Sequence, residues 1–406
     1  MKTKKIIKVG YVGFAVPDTP EYVSPGFSRA GNLAQNGFIE ALLTSNVGLD
    51  KVWSFRPGSY YPNRKFFYGA KMETLASGAI ARLPWELNVF PFRDLFRHIY
   101  VFFALVKWAL RSLGCRRVLL SYNTTFPNIW FLRLATWLTG TRLVTIVYEV
   151  GLIAGEEQNL LHRLFEPRWY ITLRDKTLPY IDGRIFITDA IARDYAPGRH
   201  YIRIDGGVTG EVVSRLFPLV EDNGKQTFDM VFAGDISPWN MIPLLLDFMK
   251  GNQDKSLRLH IAGSGSMSVN VKKDAMEDSR IVYHGMLNHN DLFRLYEKAD
   301  VVLNMRDSSL VYHYPSKLLE ILTLGKIVVT TNPSHTKDVY GGISFVLDSA
   351  NEALPGQFAS TIARIRAMSP QERCDFGRRA REWMLSHKTW KAQGPALREY
   401  IEKYVA

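Results

Sequence analysis

The feature that most constrains this chain is a regular alternation of short apolar runs with helical patterns, occurring in two successive series. Ile6–Val12, Val118–Tyr122, Leu143–Tyr148 and Ile185–Ile187 read as buried strands, with helical patterns such as Asn32–Leu43 and Asn128–Leu138 between them. After the turn-rich stretch Ile204-Asp-Gly-Gly-Val-Thr-Gly the pattern restarts. Met230–Ala233, Arg258–Ala262, Ile281–Tyr283, Val301–Asn304, Ile327–Thr330 and Phe345–Val346 form the second series. Strands that are apolar along their whole length, and separated by helices, belong to parallel sheets covered on both faces. At 406 residues the chain exceeds a single core. The expectation is therefore an α/β protein of two Rossmann-like domains facing across a central cleft. One spans 1–207 and the other 208–386, and a terminal helix at 387–406 packs back on the first.

Two cysteines, Cys115 and Cys374, cannot make a disulfide framework or a zinc site alone, which fits a reducing cytoplasm. The opening stretch is too poor in apolar residues for a signal peptide and reads as a basic lead-in to the first strand. Net charge is +12, which invites nucleic acid, an anionic membrane or an anionic substrate. The sequence shows no zinc-finger spacing, no basic-region zipper and no aromatic ribonucleoprotein motif. The charge gathers at 82–117, where Arg82, Arg93, Arg97, Lys107, Arg111, Arg116 and Arg117 are interleaved with aromatic residues and accompanied only by Glu86 and Asp94. Ile99–Val106 is too short an apolar run to span a bilayer, which needs about 20 residues. Two readings stay open: a core helix with a solvated basic side, or a segment lying on anionic lipid.

Chemistry concentrates in Asp307–Asn332. Pro315 suits the first turn of a helix, and that helix N-terminus offers free N–H groups to an anion. Ser316 and Lys317 lie in the same turn, where a cation opposes the helix dipole unless something negative binds. Glu320 is three residues on, positioned to accept from both hydroxyls of a ribose. A plain surface ion pair between Lys317 and Glu320 is the alternative. Gly325 ends the helix.

Tyr314-Pro-Ser-Lys-Leu-Leu-Glu-Ile-Leu-Thr-Leu-Gly-Lys-Ile-Val resembles the donor-site signature of bacterial family 4 glycosyltransferases of GT-B fold, of the exopolysaccharide and capsule type. Asp229-Met-Val-Phe-Ala-Gly-Asp-Ile resembles the first strand and glycine turn of their donor domain, and Leu257-Arg-Leu-His-Ile-Ala-Gly-Ser-Gly the next. Arg280-Ile-Val-Tyr-His-Gly-Met-Leu resembles the block beside the nucleotide base, and Ser24–Asn36 a loop and helix start in the first half. The resemblance is close from about 228 to 332 and partial before it.

It implies a nucleotide-sugar donor, such as a UDP- or GDP-sugar, held by Lys317, Glu320, Ser316, Gly234, Arg306, Gly285 and Met286, with Gly26 approaching from the first half. Where family members carry a glutamate eight positions before Glu320, this chain has Tyr312. The Arg and Lys that usually follow the first donor-domain glycine are replaced by Asp235–Asn240. Tyr312 and His313 are thus candidates for the sugar side, although His313 packed between Tyr312 and Tyr314 is an equal reading. Glu149, at a strand's carboxyl end, is the candidate acid/base or cation-stabilising group; an ordinary exposed carboxylate is the alternative.

The sequence carries no Asp-x-Asp pair and no histidine–carboxylate cluster with metal spacing. The expected function is metal-independent, retaining transfer of a sugar to a glycan or lipid-linked glycan in bacterial surface polysaccharide assembly. No cofactor beyond the substrate, no nucleic-acid partner, and a cytoplasmic, peripheral-membrane location complete that expectation. The competing classes are a nucleotide-sugar epimerase or phosphorylase on the same fold, and a non-catalytic membrane-associated partner with a decayed site.

Overall fold

Helical and strand periods alternate along the chain, and the computed structural model shows both series built into parallel sheets. It describes residues 6–22, 27–90, 92–124, 128–148, 172–219, 226–312, 316–333, 335–348, 350 and 352–406. Glu149, Gly26 and His313 lie outside the described residues. The chain divides into two units: Met1–Gly207 with Trp390–Ala406, and Val208–Thr389.

The first unit holds strands β1 (Ile7–Gly13), β2 (Leu49–Ser54), β3 (Phe67–Tyr68), β4 (Lys71–Thr74), β5 (Ile80–Leu83), β6 (Glu86–Leu87), β7 (Arg116–Tyr122), β8 (Arg142–Val147), β9 (Gly183–Phe186) and β10 (Ile202–Arg203). Eight of them form one sheet in the order β10-β9-β8-β7-β1-β2-β5-β4, parallel except for β4. Strands β3 and β6 pair separately. The apolar centre of β7, Val118–Leu120, is fully buried, as a strand covered on both faces requires. Helix α1 (Arg29–Thr44) covers one face; α2 (Phe92–Leu110) and α3 (Asn128–Thr139) cover the other.

The terminal helix Trp390–Tyr400 joins the α1 side of this unit. Trp390 is 2% exposed. A Cβ at Gly37 would fall 1.9 Å from its ring, and one at Gly207 2.5 Å, so two glycines make the slot that receives it. Phe38 meets the same ring at 5.0 Å, and the Tyr400 hydroxyl accepts from the Arg184 amide at 2.8 Å. Full burial of such an aromatic contributes about 1.5–3 kcal/mol.

The second unit is a six-stranded, all-parallel sheet of β11 (Phe228–Asp235), β12 (Leu257–Ser264), β13 (Ile281–Gly285), β14 (Val301–Asn304), β15 (Ile327–Thr331) and β16 (Phe345–Leu347), ordered β13-β12-β11-β14-β15-β16. Chain order runs outward from β11 to β13, then returns to the other side of β11 with β14. That reversal makes the space beyond the carboxyl ends of β11 and β14 the topological switch point, where α/β sheets receive ligands.

The basic segment of the first unit requires a correction. Arg93 and Arg97 do not belong to a solvated or lipid-facing surface: they are 8% and 3% exposed. Arg97 donates to Glu86 at 2.6 Å and to the Arg56 carbonyl at 2.6 Å. Arg93 donates to Asn88 at 2.8 Å and to the Gly58 carbonyl at 2.9 Å, and lies over the Tyr60 ring. They tie α2 to the irregular β3–β6 region through a carboxylate and carbonyls that would otherwise be buried without donors. The exposed surface is more apolar than the sequence suggests. Leu95, Ile99, Phe103, Leu110 and Leu113 on and just after α2 are exposed, as are Trp130, Leu134, Trp137 and Leu138 on α3. Lys107, near the end of α2, and Arg111, just after it, are exposed among them. Among the described residues, no helix is long and apolar enough to cross a membrane.

Candidate functional site

Near the end of β11, Gly234 pairs with Gly263 of β12, and the two backbones lie so close that Gly263 has no room for a side chain. A Cβ at Gly263, whose φ is +135°, would meet the Gly234 carbonyl oxygen at 1.8 Å. The Gly263-Ser-Gly265 pattern is therefore dictated by backbone packing, and it is not a dinucleotide fingerprint. Gly285 closes β13 at φ +64°, with open space where a side chain would be. Next to it, the Met286 side chain is 74% exposed.

Lys317 and Ser316 open the helix Ser316–Thr323, whose apolar side (Leu318, Leu319, Ile321 and Leu322) is buried. Anchoring on that side fixes Lys317 and Glu320 on the other. Lys317 does not close the ion pair with Glu320 that spacing alone would allow. Its ammonium reaches the end of β11 and donates to the Ala233 carbonyl at 3.0 Å. Burial pushes Lys317 below the usual lysine range, opposed by Glu320 and Asp235 and reinforced by the nearby Arg306 charge.

Arg306 follows β14, with its backbone clamped on Thr331 by two 2.7 Å hydrogen bonds. Burial lowers its pKa as well, and Asp235 works against that shift. Two partly desolvated cations thus converge beside a helix N-terminus at the switch point. Each loses solvation there, so a bound anion would relieve the strain that neither Asp235 nor Glu320 removes. Ser316 is exposed and Tyr312 half-buried in the same region.

Glu320 faces a set of groups that sequence reading did not single out. His289 Nε2 lies 4.0 Å from Glu320 Oε1 and 3.6 Å from Glu211. Tyr296 beneath is buried, and burial followed by the Glu320 charge raises its pKa far above the usual value. Arg215 pairs with Glu211 at 3.0 Å and covers the Phe293 ring. The available signal was Asn288, whose side chain caps the helix His289–Lys298 by accepting from Asp291 N at 3.0 Å. A cap fixes that helix start, and His289 is its first residue. The structure therefore brings Lys317, Arg306 and Gly234 together with Ser316, and places Glu320 one helical turn on. Among the described residues, no three His, Cys, Asp or Glu side chains gather as a metal-binding set.

Comparison with known proteins bears on the fold. Residues 227–367 match the family model described as "Glycosyl transferases group 1". No match was found among curated protein sequences. Sucrose-phosphate synthase from Thermosynechococcus elongatus superposes with a TM-score of 0.60 at 16% identity, covering 96% of this chain and 97% of its own. Anabaena HepE, solved in complex with UDP, gives 0.57 at 11% identity over 96% and 98% of the two chains. The lipopolysaccharide outer core galactosyltransferase WaaB gives 0.58 at 11% over 97% and 99%. The chain has the GT-B fold of glycosyltransferases, and its second unit carries a glycosyl transferases group 1 domain over 227–367.

Proposed function

We propose that this protein transfers a sugar from a nucleoside-diphosphate sugar to a glycan or lipid-linked glycan in bacterial surface polysaccharide assembly, without a metal ion and with retention at the anomeric carbon. The observation that carries this reading is the convergence of Lys317 and Arg306 on the helix N-terminus at the sheet's switch point. A diphosphate matches that arrangement in charge and in its demand for N–H donors. Glu320, one turn along the helix, is the acceptor for the ribose hydroxyls, and Gly285, which ends its strand, and Met286, which follows it, are assigned to the base. Tyr312 and His313 are the residues assigned to the sugar.

In this reading, the leaving diphosphate is stabilised by Lys317, Arg306 and the helix dipole acting as fixed charges. Glu149 and Gly26 stay as proposals for the acid/base or cation-stabilising role and for backbone approach to the donor. The UDP complex of HepE and the lipopolysaccharide role of WaaB favour the same substrate classes.

Acceptor recognition is assigned to the first unit. There the exposed apolar faces of α2 and α3, with Lys107 and Arg111, suit peripheral attachment to the anionic inner face of a plasma membrane. The test is transfer of radiolabelled sugar from a panel of UDP- and GDP-sugars to lipid-linked acceptors, with and without EDTA. Turnover that survives EDTA is expected, and an absolute divalent-metal requirement overturns the metal-independent step. Sugar modification with no acceptor product would replace this reading with an epimerase.

A further inference from the structure

In the first unit the sheet extends past α2. Strand β5 pairs with β2, with Trp53 opposite Arg82. Ala81 and Leu83 of β5 face one core. Its other two residues, Ile80 and Arg82, are exposed, and no helix among the described residues covers them. What remains between this uncovered sheet face and the flank of α2 is a groove of about 580 Å³.

The groove is graded along its length. On α2, Phe96, Ile99, Tyr100 and Phe103 line it toward the helix start, joined by Trp85, whereas Lys107 and Arg111 line it toward the helix end. These positions recur at three- and four-residue steps and share one helix face. From Phe96 to Lys107 the apolar stretch runs roughly 16 Å at 1.5 Å per residue. Lys8 and Lys51 reach the basic end and share the single carboxylate, Asp50, at 3.6 and 3.3 Å. Asp50 is already engaged by the Trp108 indole at 2.7 Å. Among the described residues, Lys107, Arg111 and Arg82 pair with no carboxylate. The wall is thus largely apolar at one end, where Arg82 lies near Tyr100, and carries further positive charge at the other, with Phe103 65% exposed.

We propose that this groove binds one molecule of a lipid phosphate, its chain along Phe96–Phe103 and its phosphate on Lys107 and Arg111. The proposal deepens the membrane-acceptor reading above, because it distinguishes a built lipid site from adsorption to a charged surface. An amphiphile satisfies both ends, whereas a free anion would leave the aromatic wall wet and a neutral lipid would leave the cations without a partner.

The test uses the full chain and monomeric dodecyl phosphate below its micelle concentration. Binding is followed by quenching of tryptophan fluorescence and by calorimetry, with dodecanol and inorganic phosphate as separate arms. Saturable binding of dodecyl phosphate, at least tenfold tighter than of either control, is expected. Ala104→Trp, which fills the groove, and the charge-reversed pair Lys107→Glu and Arg111→Glu should each weaken it at least tenfold. UDP affinity serves as the control that the chain is folded. Inorganic phosphate binding as tightly as dodecyl phosphate overturns the proposal, as does undiminished binding by both variants. Association with anionic vesicles but not with monomeric dodecyl phosphate also overturns it, while leaving the membrane reading intact. Failure of both vesicle and monomer binding removes the two together.

Discussion

Replacing Lys317 with methionine isolates the charge at the centre of the proposed donor site. Methionine keeps most of the buried aliphatic stem, so the helix Ser316–Thr323 should stay packed through Leu318, Leu319, Ile321 and Leu322. One of the three ammonium protons is used on the Ala233 carbonyl at 3.0 Å, which leaves two for a ligand. A hydrogen bond from a charged donor to phosphate contributes about 1.5–3 kcal/mol. Because Arg306 and the helix amides remain, the expected loss is about 2–3 kcal/mol, or roughly 30–150-fold in UDP or GDP affinity by calorimetry.

Stability should respond differently. The variant loses one hydrogen bond, worth about 0.5–1.5 kcal/mol, but it also loses the cost of desolvating an ammonium that burial holds below the usual lysine range. The unliganded variant should therefore unfold within about 1 kcal/mol of the parent. The pH dependence has a definite sign. A folded-state pKa below the unfolded value means that the unfolded chain binds more protons between the two. Lys317 then makes stability rise with pH from its depressed folded value to about 10.5, and less favourable below that window. Lys317→Met should flatten that rise. UDP affinity within threefold of the parent would refute the assignment. A large loss of stability in the unliganded variant would show that Lys317 acts as a structural bond.

Glu320→Gln should weaken uridine and UDP in equal proportion, since its carboxylate is assigned to ribose; titrations showing loss for UDP alone would contradict that role. Arg97→Met leaves the 1%-exposed Glu86 carboxylate, among the described residues, with only Arg56 as a cationic partner, at 3.7 Å, and should destabilise the first unit by about 3–5 kcal/mol in urea denaturation. By contrast, Lys107→Glu with Arg111→Glu should leave unfolding within about 1 kcal/mol and reduce sedimentation with anionic liposomes at low salt, where surface charge is least screened. Gly37→Val pushes atoms into the Trp390 ring that already excludes a Cβ and should cost about 1–3 kcal/mol, read as a fall in thermal midpoint. An unchanged midpoint would mean that the terminal helix is not held by that slot.

The central strands of both sheets were legible because parallel strands buried on two faces are apolar along most of their length, as in Val301–Leu303 and Ile327–Val329. Strand β2 was not, because Asp50 and Lys51 interrupt the apolar run of Leu49-Asp-Lys-Val-Trp-Ser in its half-buried first half. The two- and four-residue strands from Phe67 to Leu87 carry too little pattern for periodicity to register. Lys317 stood out because a lysine in a helix's first turn is locally unfavourable. Which partner it meets is decided by the distance from that helix to β11, a long-range contact no local pattern encodes. The same limit hid His289, drawn toward Glu320 from a different helix. It also made Arg93 and Arg97 look like surface charges. Local sequence records which side chains are basic, whereas burial depends on what other segments bring: here Glu86, Asn88 and the carbonyls of Arg56 and Gly58. Sequence by itself determined the α/β class, the two series of strands and a helix start that carries a lysine in its first turn, because each follows from periodicity or local pattern. Tertiary structure alone decided which charges are solvated, which are paired and which are left to meet a ligand, because desolvation is set by packing between residues far apart in the chain.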